Sequence, residues 1–485
     1  MAGLQVPSDL IKITPSPGKR PIQLDFRRFG DGKTYITDYT QYKNAARKAV
    51  ELHDLLLEDK SDLLKDGPVV MTGWKMKSPF IDASALDEIT SSAKKLADNI
   101  DDFWSIGIGG SYLGLRATID AVKGSLELFN MLSREQRGNT PRIFFLGQNM
   151  DAGYTANAIR LMEGNKVGGN VISKSGGTVE PAIAFAIIKY LMENSYSADE
   201  AAKKIIAITD ANKGSLRKLA KEKGYKTYSV PDDVGGRYSV TCPVGLFTLA
   251  AAGIDIKELI AGARYAEEQT RKLPFEKNIA MQRAVMRFVA HKFMGKDIEL
   301  ASTGNYDMKG ATWWMQQLGP ESEGKNGEGL WISPQYYTEM AHANGQAVQM
   351  GKRNFIETFL TVGKPGVDVT IPGKGTPVEY LDGKTLNFAN QAFVKGLRDA
   401  HYEGGVPVMS YLLPDQSAYT MGMFFQTEMN AIALSALLLG QNPFIQPGVQ
   451  SYKDIANIRS GKPGTEKAFQ EMLAKERSLD RKFII

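Results

Sequence analysis

Residues 101–120, DDFWSIGIGGSYLGLRATID, carry the clearest structural signal in the chain. An apolar run at residues 103–108 leads directly into Gly109 and Gly110 and then into a stretch with helical periodicity. A buried strand that turns through glycine into a helix is the repeating unit of a parallel sheet. The stretch therefore predicts a βα unit, the building block of an α/β protein.

Similar units follow along the chain in two series. The first continues with strands predicted at residues 142–146, 170–173, 204–209 and 225–230 and a helix at about 179–192. A polar, proline-containing stretch near residues 272–277 predicts a linker. The second series contains helices at 281–293 and 423–439 and strands at 298–302, 355–362 and 406–413. The helix at 423–439 is apolar on most faces, which predicts burial between layers.

This organisation predicts two tandem doubly wound α/β domains, with mostly parallel sheets flanked by helices. The first 95 residues combine a polar arm with the helical pattern YTQYKNAARKAVELHDLLL, and the chain ends in a charged helical tail. We predict an N-terminal extension at 1–95, a first domain at 96–275, a second at 276–455 and a C-terminal tail at 456–485.

Composition narrows the functional classes. Lys and Arg number 59 against 54 Asp and Glu, a net charge of +5, and no basic block of the kind that binds nucleic acid is present. One cysteine, Cys242, excludes an intrachain disulfide, and four scattered histidines lack the spacing of a zinc motif. No apolar stretch approaches the ~18–20 residues that span a bilayer, and the N-terminus has no signal-peptide pattern. We expect a cytoplasmic protein with no metal centre and neither a nucleic-acid nor a membrane partner.

The loop VISKSGGTVEP, residues 171–181, combines hydroxyl groups, an ammonium group and a helix N-terminus at the end of a predicted strand. Ser173, Lys174, Ser175 and Thr178 together can bind a phosphate without a basic domain around them. The structural alternative is an N-capped helix, in which Ser175 or Thr178 only satisfies backbone amides. The lysine and the two glycines favour the phosphate site.

The turn GIGGS, residues 107–111, places Gly110 and Ser111 where backbone N–H groups at a helix start could meet an anion. Taken alone it is a weak signal. It lacks the third glycine of a dinucleotide fingerprint and no Walker lysine follows. A tight βα turn without a ligand explains the pattern equally well.

The cluster DDVGGRYSVTCPVG, residues 232–245, sets Arg237 after a pair of glycines. An arginine in this position could pair with a substrate anion or stabilise an oxyanion. It could equally be a structural arginine tied to Asp232 or Asp233. The residues alone leave both interpretations open.

Further candidate side chains lie in polar stretches toward the C-terminal end. Glu321 belongs to QQLGPESEGKNGEG, residues 316–329, which we interpret as a Gly/Pro-flanked loop after a helix; a solvated turn is the alternative. His342 lies beside an Asn-Gly pair, and a lone histidine more often serves structure than catalysis. Gln446 and Lys453 fall in a predicted loop with two prolines, where lysines are usually exposed.

In this order, the motifs resemble the glucose-6-phosphate isomerase family. The shared features are GIGGS, SKSGGT, GGRYS, Q-x-x-x-E-S-x-G-K, the histidine before Gly-Gln, and F-x-Q-x-G-V-x-x-x-K, running from Gly107 to Lys453. The resemblance implies two sugar-isomerase (SIS-type) domains. It also implies a homodimer and reversible conversion of glucose 6-phosphate to fructose 6-phosphate in glycolysis and gluconeogenesis, without a metal or an organic cofactor.

The resemblance also implies which residues bind the substrate. The matching residues fall in the two glycine-containing turns, on the predicted helix before Glu321 and in the final motif. They are Gly110, Ser111, Ser173, Lys174, Ser175, Thr178, Gln317 and Gln446.

The catalytic roles implied by the resemblance fall on four residues. Glu321 matches the carboxylate that moves a proton between C1 and C2, and Arg237 matches the group that stabilises the cis-enediolate. His342 and Lys453 match residues linked to opening of the sugar ring. In the family the histidine crosses a dimer interface, so His342 is expected to serve the neighbouring subunit.

The chain departs from the family pattern at three positions. Gly177 replaces a frequent threonine of the phosphate loop, and Ile445 and Gln450 stand where aspartate and glutamate are common. Losing two carboxylates near Lys453 could change its pKa and position. Two alternatives remain open: activity on mannose 6-phosphate as well, which shares the enediolate, and a non-catalytic SIS-type regulator that binds a phosphosugar.

Overall fold

The computed structural model describes residues 5–30, 36, 39–57, 71–77, 81–174 and 176–479. Its strands are β1 (Ile11–Ile13), β2 (Gln23–Arg28), β3 (Asp102–Ile106), β4 (Arg142–Leu146), β5 (Val167–Ile172), β6 (Ile205–Thr209), β7 (Lys226–Ser229), β8 (Ile298–Thr303), β9 (Trp331–Tyr336), β10 (Phe355–Val362), β11 (Val367–Val369) and β12 (Val408–Leu413).

The helices alternate with these strands over most of the chain. They are α1 (Thr40–Leu57), α2 (Ala83–Ala97), α3 (Leu113–Lys123), α4 (Leu126–Met131), α5 (Ala152–Met162), α6 (Val179–Ser195), α7 (Ala198–Lys204), α8 (Ser215–Lys223), α9 (Pro243–Ala251), α10 (Ile256–Lys272), α11 (Ile279–Met294), α12 (Lys309–Glu323), α13 (Glu339–Met350), α14 (Leu386–Glu403), α15 (Ala418–Leu438), α16 (Gly448–Arg459) and α17 (Glu466–Arg477).

The first sheet has the strand order β4-β3-β5-β6-β7, and all its strand pairs are parallel. Both faces are covered, because Phe103 and Ile206 belong to one apolar cluster while their neighbours Trp104 and Ala207 belong to another. In this order the chain changes direction at β3, so a crevice lies beyond the carboxyl ends of β3 and β5.

The second sheet has the order β2-β12-β10-β8-β9. Its last four strands are parallel and repeat the order of the first sheet, while β2 joins antiparallel to β12. Ile356 and Phe359 lie in different apolar clusters, so this sheet is also covered on both faces. The prediction of an α/β fold with mostly parallel sheets flanked by helices is confirmed.

Helix α15 joins the two sheets through a shared core. One apolar cluster contains Phe103 and Ile143 of the first sheet, Phe424 and Phe425 of α15, and Leu360 of the second sheet. Helix α15 is buried, as predicted from its apolar faces. None of the helices in the described ranges is long and apolar enough to cross a membrane.

One strand was not anticipated, and two local expectations are wrong. The polar arm contributes β2 to the second sheet, which the sequence pattern did not indicate. The stretch 316–329 is not a loop throughout, because α12 continues past Pro320 to Glu323. Lys453 lies on helix α16 rather than in a loop.

Gly319, the residue before Pro320, allows α12 to pack closely against β9. A Cβ at this position would lie 2.4 Å from Ile332 Cδ1 on β9.

Candidate active site

Glu321 lies on the last turn of α12, with about a third of its side chain exposed (34%) toward the crevice. Gln317, one turn earlier on the helix, places its Nε2 3.4 Å from both carboxylate oxygens of Glu321. The other amide atom, Gln317 Oε1, is buried and has no hydrogen-bond partner among the described residues. The last turn of α12 therefore holds a partly exposed carboxylate beside a buried amide.

Arg237 is buried beside this carboxylate, its side chain 3% exposed. Its Nη1 lies 3.2 Å from Glu321 Oε2 and 3.0 Å from Gln446 Oε1, and its Nε donates to Ser322 Oγ at 2.9 Å. Its Nη2 donates to the carbonyls of Pro443 at 2.5 Å and Ile445 at 3.3 Å.

A guanidinium group carries five N–H donors, and these contacts give Arg237 five acceptors. Neither of the aspartates considered as alternative partners is among them. The arginine instead ties the end of α12 to the loop that follows α15. It thus fixes a positive charge directly beside Glu321.

Glycines allow the turn after β3 to lie against the Arg237–Glu321 pair. A Cβ at Gly110 would lie 1.8 Å from the carbonyl oxygen of Gly236, which precedes Arg237. At Gly109, where φ is +57°, a Cβ would lie 2.7 Å from Gln317 Nε2. The backbone contact excludes any side chain at Gly110, and the positive φ favours glycine at Gly109, so the GIGGS and GGRYS motifs and α12 meet at one place. Ser111, half-buried, lies at the end of the same turn.

The loop after β5 lies next to that turn, because β3 and β5 are paired neighbours. Ser173 Oγ accepts a hydrogen bond from Gly176 N at 3.0 Å. Lys174 Nζ donates to the carbonyls of Pro231 and Asp232 at 3.0 and 2.9 Å. Thr178 precedes α6, and its side chain makes no capping hydrogen bond. Thr178 therefore does not act as the simple N-cap considered above, and Ser175 lies outside the described residues.

Among the described residues, two predicted catalytic residues do not belong to the hydrogen-bonded cluster around Glu321. His342 is exposed on α13 and Lys453 is exposed on α16. Within the described ranges, neither side chain forms a hydrogen bond or an ion pair. Gln446, by contrast, belongs to the cluster through its bond to Arg237.

Sequence reasoning missed three residues that support the cluster. Ser322 is fully buried and lies between Arg237 and the hydroxyl of Tyr238, 3.0 Å away. Burial raises the pKa of Tyr238, which keeps it a neutral hydrogen-bonding phenol. Lys325 Nζ lies 3.4 Å from the carbonyl of Glu321 and 3.5 Å from that of Ile445. This position is at the C-terminus of α12, where a positive charge stabilises a helix. The E-S-x-G-K motif contains two of these residues and was the available signal.

The fold and this cluster define a class of protein. It is an α/β protein whose crevice combines a carboxylate able to move a proton, a fixed cation able to hold a negative oxygen, and hydroxyl, amide and ammonium groups suited to an anion. Residues 45–335 match the family model described as phosphoglucose isomerase. The chain belongs to the phosphoglucose isomerase family.

Curated relatives cover most of the chain. The glucose-6-phosphate isomerase of Bacillus cytotoxicus is 40% identical over 432 residues, which is 88% of this chain and 94% of the relative. That of Heliobacterium modesticaldum is 41% identical over 399 residues, which is 82% of this chain and 88% of the relative.

Solved structures share the fold. A hypothetical protein of Thermus thermophilus matches with a TM-score of 0.78 and 27% identity, covering 91% of this chain and all of that one (100%). The glucose-6-phosphate isomerase of Chlamydia trachomatis matches with a TM-score of 0.70 and 20% identity, covering 92% of this chain and 91% of the other.

Proposed function

We propose that this chain catalyses the reversible isomerisation of glucose 6-phosphate and fructose 6-phosphate, the reaction of EC 5.3.1.9 in glycolysis and gluconeogenesis. The observation that carries the proposal is the Glu321–Arg237 pair, 3.2 Å apart, in a chain that belongs to the phosphoglucose isomerase family. A regulator that only binds a phosphosugar would need the phosphate loop but not this pair. The regulatory alternative is therefore not favoured.

The chemistry requires a base and a nearby cation. After ring opening, Glu321 removes the weakly acidic proton from C2, and the electrons form the C1–C2 double bond as the C1 oxygen becomes negative. Arg237 stabilises this cis-enediolate. Glu321 then returns the proton to C1 while the proton of the C2 hydroxyl passes to the C1 oxygen, leaving a C1 hydroxyl and a C2 ketone. A positioned base of this kind contributes ~10²–10⁴ in rate.

The phosphate loop orients the substrate for this step. Lys174 donates two of its three N–H groups to backbone carbonyls and lies 3.9 Å from Asp232 Oδ1, and in the proposal its third N–H binds a phosphate oxygen. Ser173, Thr178 and the backbone at the start of α6 supply further donors, joined in the proposal by Ser175, Gly110 and Ser111. Binding energy from the phosphate, which does not react, holds C1 and C2 at the carboxylate. Gln317 Oε1 accepts from a sugar hydroxyl.

A homodimer completes the site in this proposal. Helices α16 and α17 bury no side chain within one chain, and α16 exposes Tyr452 and Ile455 by 57% and 51%. A second copy that covers this face would enclose Lys453 and carry His342 to the neighbouring crevice, where both assist ring opening. Gln450, which stands in place of the family's glutamate, donates from Nε2 to Asp454 Oδ1 at 2.8 Å.

The reaction needs no metal or organic cofactor in this proposal, and we propose a cytoplasmic location. The test is to supply purified protein with glucose 6-phosphate and a chelator and to measure fructose 6-phosphate. Fructose 6-phosphate is expected to form as fast with the chelator as without it. A folded sample that forms no product would contradict the proposal, and parallel assays with mannose 6-phosphate would define the substrate range.

A further inference from the structure

Five buried charged residues connect the interior of the second sheet to the end of α12. They are Glu428, Arg283, Glu299, Arg287 and Glu323, each at most 1% exposed. Arg283 Nη2 lies 2.8 Å from Glu428 Oε1 and 2.6 Å from Glu299 Oε1. Arg287 contacts Glu299. It also donates two hydrogen bonds to Glu323, from Nη2 to Oε2 at 2.6 Å and from Nε to Oε1 at 3.2 Å. We call these five residues the buried ion-pair chain.

Stability alone is a weak reason for such an arrangement. Desolvating charges is costly, and replacing buried ion pairs with apolar residues often leaves a protein equally stable. The two outer carboxylates differ in what they adjoin. Glu428 lies within α15 and accepts from Tyr411 at 2.6 Å, whereas Glu323 ends α12, two residues after Glu321.

The last turn of α12 needs an external anchor. Pro320 lies inside the helix and has no N–H, so the turn that carries Glu321 lacks one of its helical hydrogen bonds. Residues two apart on a helix lie about 200° apart around its axis. Glu323 therefore points into the core while Glu321 faces the crevice, and holding one sets the direction of the other.

We propose that Arg287 and Glu323 are positioning residues for the isomerisation: their two-point ion pair holds the last turn of α12 so that Glu321 stays beside Arg237 and Gln317. Glu323 also accepts from Leu330 N at 3.5 Å, which ties the turn to the approach of β9. This inference rests on the proposed function, because it assigns the proton transfer to Glu321.

The buried ion-pair chain supplies its own matched control. Glu323→Gln and Glu428→Gln each remove one outer carboxylate and leave the neighbouring arginine paired with Glu299. Both are expected to lower the unfolding midpoint. Only E323Q is expected to lower kcat, by about tenfold to a hundredfold, as for a base displaced by a fraction of an ångström to 1 Å. KM for glucose 6-phosphate should stay near the wild-type value in both variants.

Shorter acidic replacements keep the test valid if either glutamine variant does not fold. Glu323→Asp and Glu428→Asp retain the charge but reduce its reach, and again only the α12 variant should lose kcat. Equal kcat values in the two members of either pair would overturn the inference, as would a change in KM with kcat unaltered. An inactive wild type would instead overturn the proposed function, and this inference with it.

Discussion

The two sheets share a strand order, but the loops at the carboxyl ends of their strands offer an anion different groups. We call these ends the first edge and the second edge, after the sheet to which each belongs. At the first edge, beyond β3 and β5, Thr178 leaves the start of α6 without a side-chain cap. At the second edge, beyond β12, Asp415 lies at the start of α15. Its carboxylate accepts from Ser417 N at 3.0 Å, Thr420 Oγ1 at 2.5 Å and Ser16 Oγ at 2.9 Å.

If the first edge binds the phosphate as proposed, loop residues rather than topology decide which edge does so. A helix N-terminus favours a negative group in either case. At the second edge the start of α15 is satisfied within the protein: Ser417 Oγ accepts from Thr420 N at 3.3 Å, and Asp415, which is 6% exposed, accepts from Ser417 N. The first edge offers Lys174, hydroxyl groups and backbone amides instead. We propose that the substrate's phosphate supplies the negative group at the start of α6.

The largest effect should come from removing the base at the first edge. Glu321→Gln is expected to lower kcat by ~10²–10⁴, the usual contribution of a positioned general base. Loss of label from C2-deuterated glucose 6-phosphate should fall in parallel, while phosphosugar binding persists because the phosphate loop is intact. The label is followed by NMR and binding by calorimetry.

Glu328→Gln is the control for this substitution. Glu328 belongs to the same stretch but pairs with Lys292 at 2.8 Å and with His291 at 3.2 Å, away from Arg237. Its replacement should leave the exchange rate unchanged. Undiminished label exchange in E321Q would rule out Glu321 as the base.

A smaller effect, on affinity, is expected from the phosphate loop. Lys174→Ala removes a charge-assisted hydrogen bond, worth about 1.5–3 kcal/mol, so KM for hexose 6-phosphates should rise by about tenfold to a hundredfold. Lys213→Ala is the matched control, since Lys213 is exposed and follows β6 at the same edge. Equal affinities for the two variants would argue against phosphate binding at Lys174.

The smallest effect on activity should come from the second edge. Asp415→Asn is expected to lower the free energy of unfolding by about 1–3 kcal/mol while kcat and KM keep their wild-type values. Chemical denaturation and steady-state kinetics measure the two quantities. A loss of activity larger than the loss of folded protein would show that the second edge takes part in the reaction.

The stability difference should depend on pH. Burial alone would raise the pKa of Asp415, but the hydrogen bonds from Thr420, Ser417 and Ser16 outweigh it and lower the pKa. The contribution is therefore present above the unfolded value of about 3.9 and is lost as pH falls through the lower folded pKa. Wild type and D415N should converge in acid; a difference that grows in acid would contradict this account.

Buried parallel strands could be predicted from the sequence with good precision. Strands β4 and β10 have the predicted bounds, because each is a short run rich in β-branched and aromatic residues between polar or glycine-containing stretches. Two of the strands that were missed, β2 and β9, lie at the edges of the second sheet, and the other two, β1 and β11, form a separate two-stranded sheet. Strand β2 contains charged residues and is specified by distant pairing, such as Leu24 with Tyr411. Strand β9 contains Pro334, which only an edge strand tolerates.

The site was predictable in its parts but not in its connections. The hydroxyls and lysine of the SKSGGT loop stand out locally, since a lysine beside two glycines favours a phosphate site over a simple N-cap. The partner of Arg237 could not be chosen, because its acceptors come from residues 84 to 209 positions away. The helical setting of Glu321 was hidden by Pro320, a residue that usually ends a helix.

A crystal structure with bound fructose 6-phosphate tests the central claim most directly. We expect the phosphate to bind against Ser173, Lys174 and the start of α6, so that C1 and C2 face Glu321. We also expect His342 of the partner subunit to lie near the ring oxygen. A phosphate bound elsewhere, or C1 and C2 out of reach of Glu321, would contradict it.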